Sequence, residues 1–277
     1  MKEGISNMGK IRLSDLPPVA RTLMASLACR AQENLRPDAM IRDPLAAEIL
    51  ARFDPEEIRP LKLSGVDHIF TMMRARQFDR WARAFLEQHP GAAVVDIGCG
   101  LDTRAARVDD GRRIWFGLDM PEVIALRRTW MPSGERERLM GGSVLDPGWM
   151  DAVAAERRPV IFLAEGVFPY LPEKELRTTV GFLAERFVGG ELAFDALTKF
   201  SIWLHNMHPL LRKAGARLHW GLDNALELER WSARIHWRET WKYFDRFEPR
   251  LGINNLMRFL PVLADVNTIE RYGFEGD

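Results

Sequence analysis

In residues 94–104, VVDIGCGLDTR, two glycines flank a cysteine and a polar Asp102-Thr103-Arg104 follows at once. Two β-branched residues lead into Asp96, so the segment reads as a buried parallel strand ending in a tight turn against a helix N-terminus. Gly98 and Gly100 admit backbone torsions closed to other residues and let a ligand lie against the main chain. The helix start offers free N–H groups to a polar ligand. A dinucleotide-binding turn would carry a third glycine where Thr103 stands. Asp102 at the loop exit would repel a pyrophosphate; it suits a ligand with a cationic amino group.

The surrounding elements must hold that turn in place. Strand patterns at 94–97, 114–118, 142–145, 160–164 and 191–196 alternate with helical patterns at 121–130, 151–157 and 172–187. Further strands are expected near Ile235 and over 266–274. Strands alternating with helices predict an α/β fold, a Rossmann-like, doubly wound, seven-stranded and mostly parallel sheet. Ligands of such sheets bind at the carboxyl ends of the strands. There the sequence places Gly98–Gly100, Asp119, Asp146 and Glu165. A cationic cofactor such as S-adenosylmethionine suits so acidic a rim.

Residues 1–90 form a helical region, with helices expected at 21–34, 44–52, from Pro55, and at 71–88. Asp43-Pro44 and Asp54-Pro55 each place a capping carboxylate before a proline at the first helical position. Residues 91–277 form the core, and 199–241, rich in Trp and His, reads as a helical lid insert. Thirty-nine basic and thirty-nine acidic residues leave no electrostatic footprint for nucleic acid. Cys29 and Cys99 form neither a disulfide framework nor a metal spacing, which fits a reducing cytoplasm. No apolar run reaches membrane length and no signal segment is seen, so a soluble, cytoplasmic protein is expected.

RTLMASLACRAQENLRPDAMIRDPLA, MRARQFDRWARAFL, VVDIGCGLDTR, GLDMPEVIALRR, SVLDPGWMDAV, AEGVFPYL and WGLDN stand in this order from about residue 20 to 275. In these pieces the chain resembles the class I S-adenosylmethionine-dependent methyltransferases of the leucine carboxyl methyltransferase and polyketide O-methyltransferase group. The resemblance implies that Arg30 and Arg74 pair with the cofactor's methionine carboxylate, a match for a guanidinium fork; the alternative is surface arginines on amphipathic helices. It places Gly98 and Gly100 along the amino-acid end, with Asp96 orienting the loop or capping the turn. Asp102 attracts the ammonium or caps the helix; Thr103 and Arg104 are structural.

Asp119, beside Met120, accepts the ribose hydroxyls, or caps the helix that opens at Pro121. Asp146, with Val144 and Leu145 against the ring, receives the adenine amino group, or forms a plain Asp-Pro turn. Glu165 and Gly166 lie near the cofactor's amino group at the edge of the substrate cavity. Tyr170 faces cavity or core.

The implied reaction transfers a methyl group from S-adenosyl-L-methionine to a carboxylate or hydroxyl of a small, aromatic or polyketide-like metabolite, leaving S-adenosyl-L-homocysteine. A carboxylate is ionised at pH 7 and needs no base, whereas a phenol gains from one; His205 and His208 are the candidates. A protein C-terminal carboxylate is the alternative acceptor. A nicotinamide-dependent dehydrogenase is disfavoured by the missing third glycine, and a non-catalytic module by the intact cofactor positions. No metal site, nucleic-acid contact or membrane association is expected.

Overall fold

The computed structural model describes residue 12 and residues 18–59, 65–131, 133–207, 217–260 and 266–276. Four helices precede the sheet: α1 (Pro18–Glu33), α2 (Pro44–Leu50), α3 (Pro55–Ile58) and α4 (Gly65–Gln88). Asp43 caps α2 by accepting from the Ala46 N–H at 3.0 Å, and Asp54 caps α3 through Glu56 N–H. The α4 helix starts six residues before the expected Thr71, because Val66, Ile69 and Phe70 extend its apolar face against Tyr243, Phe244 and Leu251.

Seven strands follow: β1 (Ala93–Ile97), β2 (Ile114–Asp119), β3 (Glu137–Gly141), β4 (Val160–Ala164), β5 (Glu191–Leu197), β6 (Ile235–Lys242) and β7 (Asn267–Phe274). Their order is β3-β2-β1-β4-β5-β7-β6, with β7 antiparallel to both of its neighbours, β5 and β6, and the other pairs parallel. Helices α5 (Arg104–Arg107), α6 (Pro121–Trp130), α7 (Trp149–Ala154) and α8 (Glu173–Arg186) make the crossovers. Both faces are covered, as a parallel sheet requires. Val95, Ile97, Phe116, Leu118 and Phe162 pack to one side with α7 and α8, and Val94, Trp115, Ile161 and Leu163 pack to the other with α4. Chain order reverses between β1 and β4, which opens a crevice at their carboxyl ends.

One expectation is corrected. The third strand is Glu137–Gly141, not 142–145. As an edge strand it is only half-buried, so Glu137 and Arg138 mask its alternation, while Gly142–Leu145 turns away, with Trp149 Nε1 donating to Val144 O. Asp146 therefore stands five residues beyond the strand end. The span 199–241 contains the strand expected near Ile235. Helix α9 (Lys199–Met207) and a 3₁₀ turn at 225–230 belong to that span, and residues 235–241 form most of the edge strand β6.

Candidate functional site

Gly98 and Gly100 take φ of 67° and 47°, a backbone region that favours glycine. A Cβ at Gly98 would lie 2.2 Å from Val167 Cγ2, so the turn after β1 and the turn after β4 touch. Leu23 of α1 approaches Gly100 from above, where a Cβ would be 3.0 Å from Leu23 Cδ2. The N-terminal helices thus sit on the glycine turn.

Asp119, the last residue of β2, bridges to that turn. Its Oδ2 accepts the Gly100 N–H at 2.7 Å and its Oδ1 accepts the Met120 N–H at 2.7 Å. The cap position of α6 is held by Met120. Burial raises the Asp119 pKa, against the two N–H donors and Arg127. Met120 is half-exposed beside it. The 142–145 turn reaches the same rim through the Gly142 N–H bond to Asp119 O, 2.9 Å. Asp146 is exposed and its Oδ1 accepts the Gly148 N–H at 3.0 Å, as an Asp-Pro turn does.

Below the turn lies a buried ion network. Arg74 donates to Glu165 Oε1 at 2.9 Å and to Asp195 Oδ2 at 2.8 Å, and Asp195 Oδ1 accepts the Gly166 N–H at 2.6 Å. Arg104, fully buried, binds Asp79 at 2.8 Å, Asp102 at 3.1 Å and Glu165. Its Nη1 has no hydrogen-bond partner and lies 3.6 Å from Asp96 Oδ1. Arg107 joins Asp79, Asp43 and Asp102. Arg30, 3 % exposed, donates to Asp43 at 3.0 Å and to Leu101 O at 2.7 Å, with Asp102 at 3.9 Å.

Six carboxylates (Asp43, Asp79, Asp96, Asp102, Glu165 and Asp195) thus share four guanidinia, and negative charge is in excess. The excess shows in the titration of single groups. Burial, with Asp102 and Glu165 close by, pushes Asp96 up to about 7 despite Arg104 and Arg127. Asp102 goes the other way: burial would raise it, but Arg104, Arg107 and Arg30 hold it well below the usual carboxylate range. Burial would lower the Arg74 pKa, and Asp195 and Glu165 raise it above the ordinary value instead.

The structure therefore gathers Arg74, Asp96, Gly98, Gly100, Asp102, Asp119, Glu165 and Gly166 at one rim. Asp102 does cap the turn, accepting the Arg104 N–H at 2.9 Å, while it also serves the network. Tyr170 is half-exposed; burial raises its phenol pKa, against the pull of Arg74. His205 keeps to α9, its Nδ1 donating to Ser201 O at 2.8 Å. His208 lies outside the described residues.

Asp43, Asp79, Asp195 and Arg107 are site residues that the sequence reading did not assign there. Asp79 had a signal: it falls on the buried stripe of α4 with Met72, Ala75, Ala82 and Leu86, where a carboxylate needs a partner. Asp195 had another, being one more acid near a strand end. Arg107 had none, since its partners come from three separate segments.

Beyond the rim the surface turns apolar. On α9, which follows β5 after one residue, Phe200, Trp203, Leu204 and Met207 are all more than half exposed, with the Phe200 and Trp203 rings stacked at 5.9 Å. Ile253, Leu256 and Phe259 are exposed on the 3₁₀ segment Pro249–Phe259. No described helix is long and apolar enough to cross a membrane.

Comparison with known proteins adds four findings. The family model of leucine carboxyl methyltransferases matches residues 23–184. The tetracenomycin polyketide synthesis O-methyltransferase TcmP of Streptomyces glaucescens is 33% identical over 258 residues, 93% of this chain and 90% of that protein. The S-adenosyl-L-methionine-dependent methyltransferase dpfgK of Gibberella zeae is 31% identical, with 83% of each chain covered. Among solved structures, a DUF574 family protein of Streptomyces avermitilis superposes with a TM-score of 0.58 at 14% identity, covering 91% of this chain and 97% of that one. That likeness speaks for the fold alone.

Proposed function

The chain belongs to the leucine carboxyl methyltransferase family and is an S-adenosyl-L-methionine-dependent O-methyltransferase; from that premise we propose that its acceptor is a carboxylate or hydroxyl of a small, aromatic or polyketide-like metabolite. The observation that carries this reading is the apolar face of α9, the helix that follows the strand carrying Asp195. Phe200, Trp203 and Met207 offer flat, exposed apolar area there. The first of the relatives named above acts in polyketide synthesis, which supports the same acceptor class.

The donor set of the rim fits the cofactor. Asp119 has two carboxylate oxygens for a pair of ribose hydroxyls, and the carboxylate excess around Glu165, Asp102 and Asp96 favours a ligand with cationic sulfur and nitrogen. Gly98, Gly100 and Gly166 keep the main chain bare along the amino-acid end, and Val144, Leu145 and Asp146 flank the adenine side. Arg74 and Arg30 are the residues we assign to the methionine carboxylate, with Arg30 the deeper-set of the two. The N-terminal helices cover the donor, as the contact of Leu23 with Gly100 supports.

When bound, the cofactor supplies a methyl group already activated by its sulfonium, so the protein has chiefly to position and desolvate the acceptor oxygen. The α9 face holds the acceptor ring and excludes water. A carboxylate acceptor needs no proton removed. For a phenol, His205 Nε2 takes the proton: Nδ1 donates to Ser201 O, which leaves the lone pair on Nε2. Tyr170, set beside Arg74, orients the acceptor at the rim.

Incubation with methyl-labelled cofactor and a panel of aromatic acids, phenols and a peptide ending in a leucine carboxylate tests the reading. Label on the small aromatic oxygen nucleophiles is expected. Label on the peptide alone overturns it in favour of protein C-terminal carboxyl methylation.

A further inference from the structure

Beside the ion network, the loop between α1 and α2, helix α4 and helix α5 enclose a cleft of about 320 Å³. Arg42, Arg76, Arg83 and Arg107 line it, with Asp79 as its one carboxylate. Asp79 offers little repulsion. Its Oδ1 accepts from Arg104 Nε at 2.8 Å and Arg107 Nη2 at 3.0 Å, and its Oδ2 accepts from Arg107 Nε at 2.8 Å. Arg107 is matched by Asp79, Asp43 and Asp102. Three positive charges therefore remain.

Among the described residues none of those three has a carboxylate within hydrogen-bond distance, and the ion pairs of Arg76 and Arg83 are long. Arg42 donates to the main-chain oxygens of Asn34 at 2.8 Å and Pro37 at 3.4 Å. Arg83 donates to Arg107 O at 2.9 Å, and its nearest carboxylate is 3.9 Å away on the already matched Asp79. Arg76 stands 3.6 Å from Glu248 Oε2, beyond a hydrogen bond. Carbonyl partners fix a guanidinium in place and leave its charge and most of its five donors unspent. Arg76 and Arg83 are two turns apart on one face of α4, so their side chains rise from the same side of the helix.

We propose that this cleft binds a phosphate group, free or on a small molecule. A planar carboxylate is satisfied by one fork, whereas a tetrahedral dianion accepts from several forks arriving from different directions. Here the forks come from the α1–α2 loop and from two turns of α4. The cleft adjoins the acidic network, with which it shares Asp79 and Arg107, but Arg42, Arg76 and Arg83 give it the opposite sign, so it selects a different ligand.

Calorimetric titration of the full chain at low ionic strength tests this, with inorganic phosphate, phenyl phosphate and malonate as probes. Saturable binding of inorganic phosphate or phenyl phosphate is expected, and the tighter of the two tells whether the natural ligand is free or esterified. Arg76→Gln with Arg83→Gln weakens that binding by about tenfold or more, as loss of charge-assisted hydrogen bonds requires. S-adenosylhomocysteine binding to the same variant stays unchanged. Arg76→Gln alone, which removes no side-chain hydrogen bond among the described residues, gives a smaller loss in the same direction. No saturable binding, unaltered affinity in the variants, or malonate binding as tightly as phosphate overturns the proposal.

Discussion

The rim at the strand ends and the exposed faces of α9 and of residues 249–259 are built by opposite means. At the rim, buried carboxylates and guanidinia are tied by hydrogen bonds of 2.6–3.1 Å into one network spanning α1, α4, α5 and the ends of β4 and β5. On those exposed faces, large apolar side chains stand in solvent. A cofactor with fixed charges needs fixed partners, because a displaced charge in low dielectric costs several kcal/mol. An apolar acceptor needs only area and shape, which many side chains supply equally well.

The two are joined by one ionic strap. Glu33 of α1 is fully buried and accepts from His68 Nε2 at 2.8 Å, from Arg250 at 2.7 and 3.0 Å, and from the Met40 N–H. Arg250 opens the 249–259 segment, whose Gly252 takes φ of 53°. That segment is thereby fastened to the N-terminal helices.

The contrast breaks most visibly in the network. Arg104→Met strands Asp79, Asp102 and Glu165 without their shared cation, and should destabilise the fold by about 3–5 kcal/mol in denaturant melts. A loss under 1 kcal/mol would mean the carboxylates relax into water.

The strap comes next. Burial would raise the Glu33 pKa, but His68, Arg250 and the Met40 N–H bring it down to about 2 from 4.5. A depressed carboxylate adds stability that is fully present above pH 4.5 and lost as pH falls through 2. That difference corresponds to about 3 kcal/mol. Glu33→Gln should cost that amount at pH 7 and flatten the acid limb of a melting-temperature profile between pH 4.5 and 2. A variant with the parent's acid limb would contradict the assignment.

Third, Asp119→Ala should weaken S-adenosylhomocysteine binding by about 1–3 kcal/mol, since a hydroxyl pair loses its charged acceptor. Acceptor KM and the melting temperature should change little. The smallest effect belongs to the apolar surface. Trp203→Ala should leave stability within about 0.5 kcal/mol and cofactor affinity unchanged, while acceptor KM rises in steady-state assays. A matching loss of cofactor affinity would erase the distinction between the two regions.

The same contrast explains what could be read in the chain before folding. Strand ends carrying Gly98, Asp119 and Glu165 were legible because strand patterning, glycine and acid all sit within a few residues. The edge strand Glu137–Gly141 was not, since half of its residues face solvent and read as polar. Nor was the network legible as a network. Asp43 was visible as a helix cap, yet its role toward Arg30, Arg107 and Thr103 depends on contacts 13 to 64 residues away. The acceptor surface offered tryptophans without a spacing rule, and exposed aromatic residues carry no local signature of what they touch.

The central claim is that the acidic rim, and not the basic cleft on α4, holds the methyl donor. Co-crystallisation with S-adenosylhomocysteine measures this directly. Ribose hydroxyls on Asp119, with the amino-acid end along Gly98 and Glu165, are the predicted result. Density among Arg42, Arg76 and Arg83 with nothing at Asp119 would contradict it.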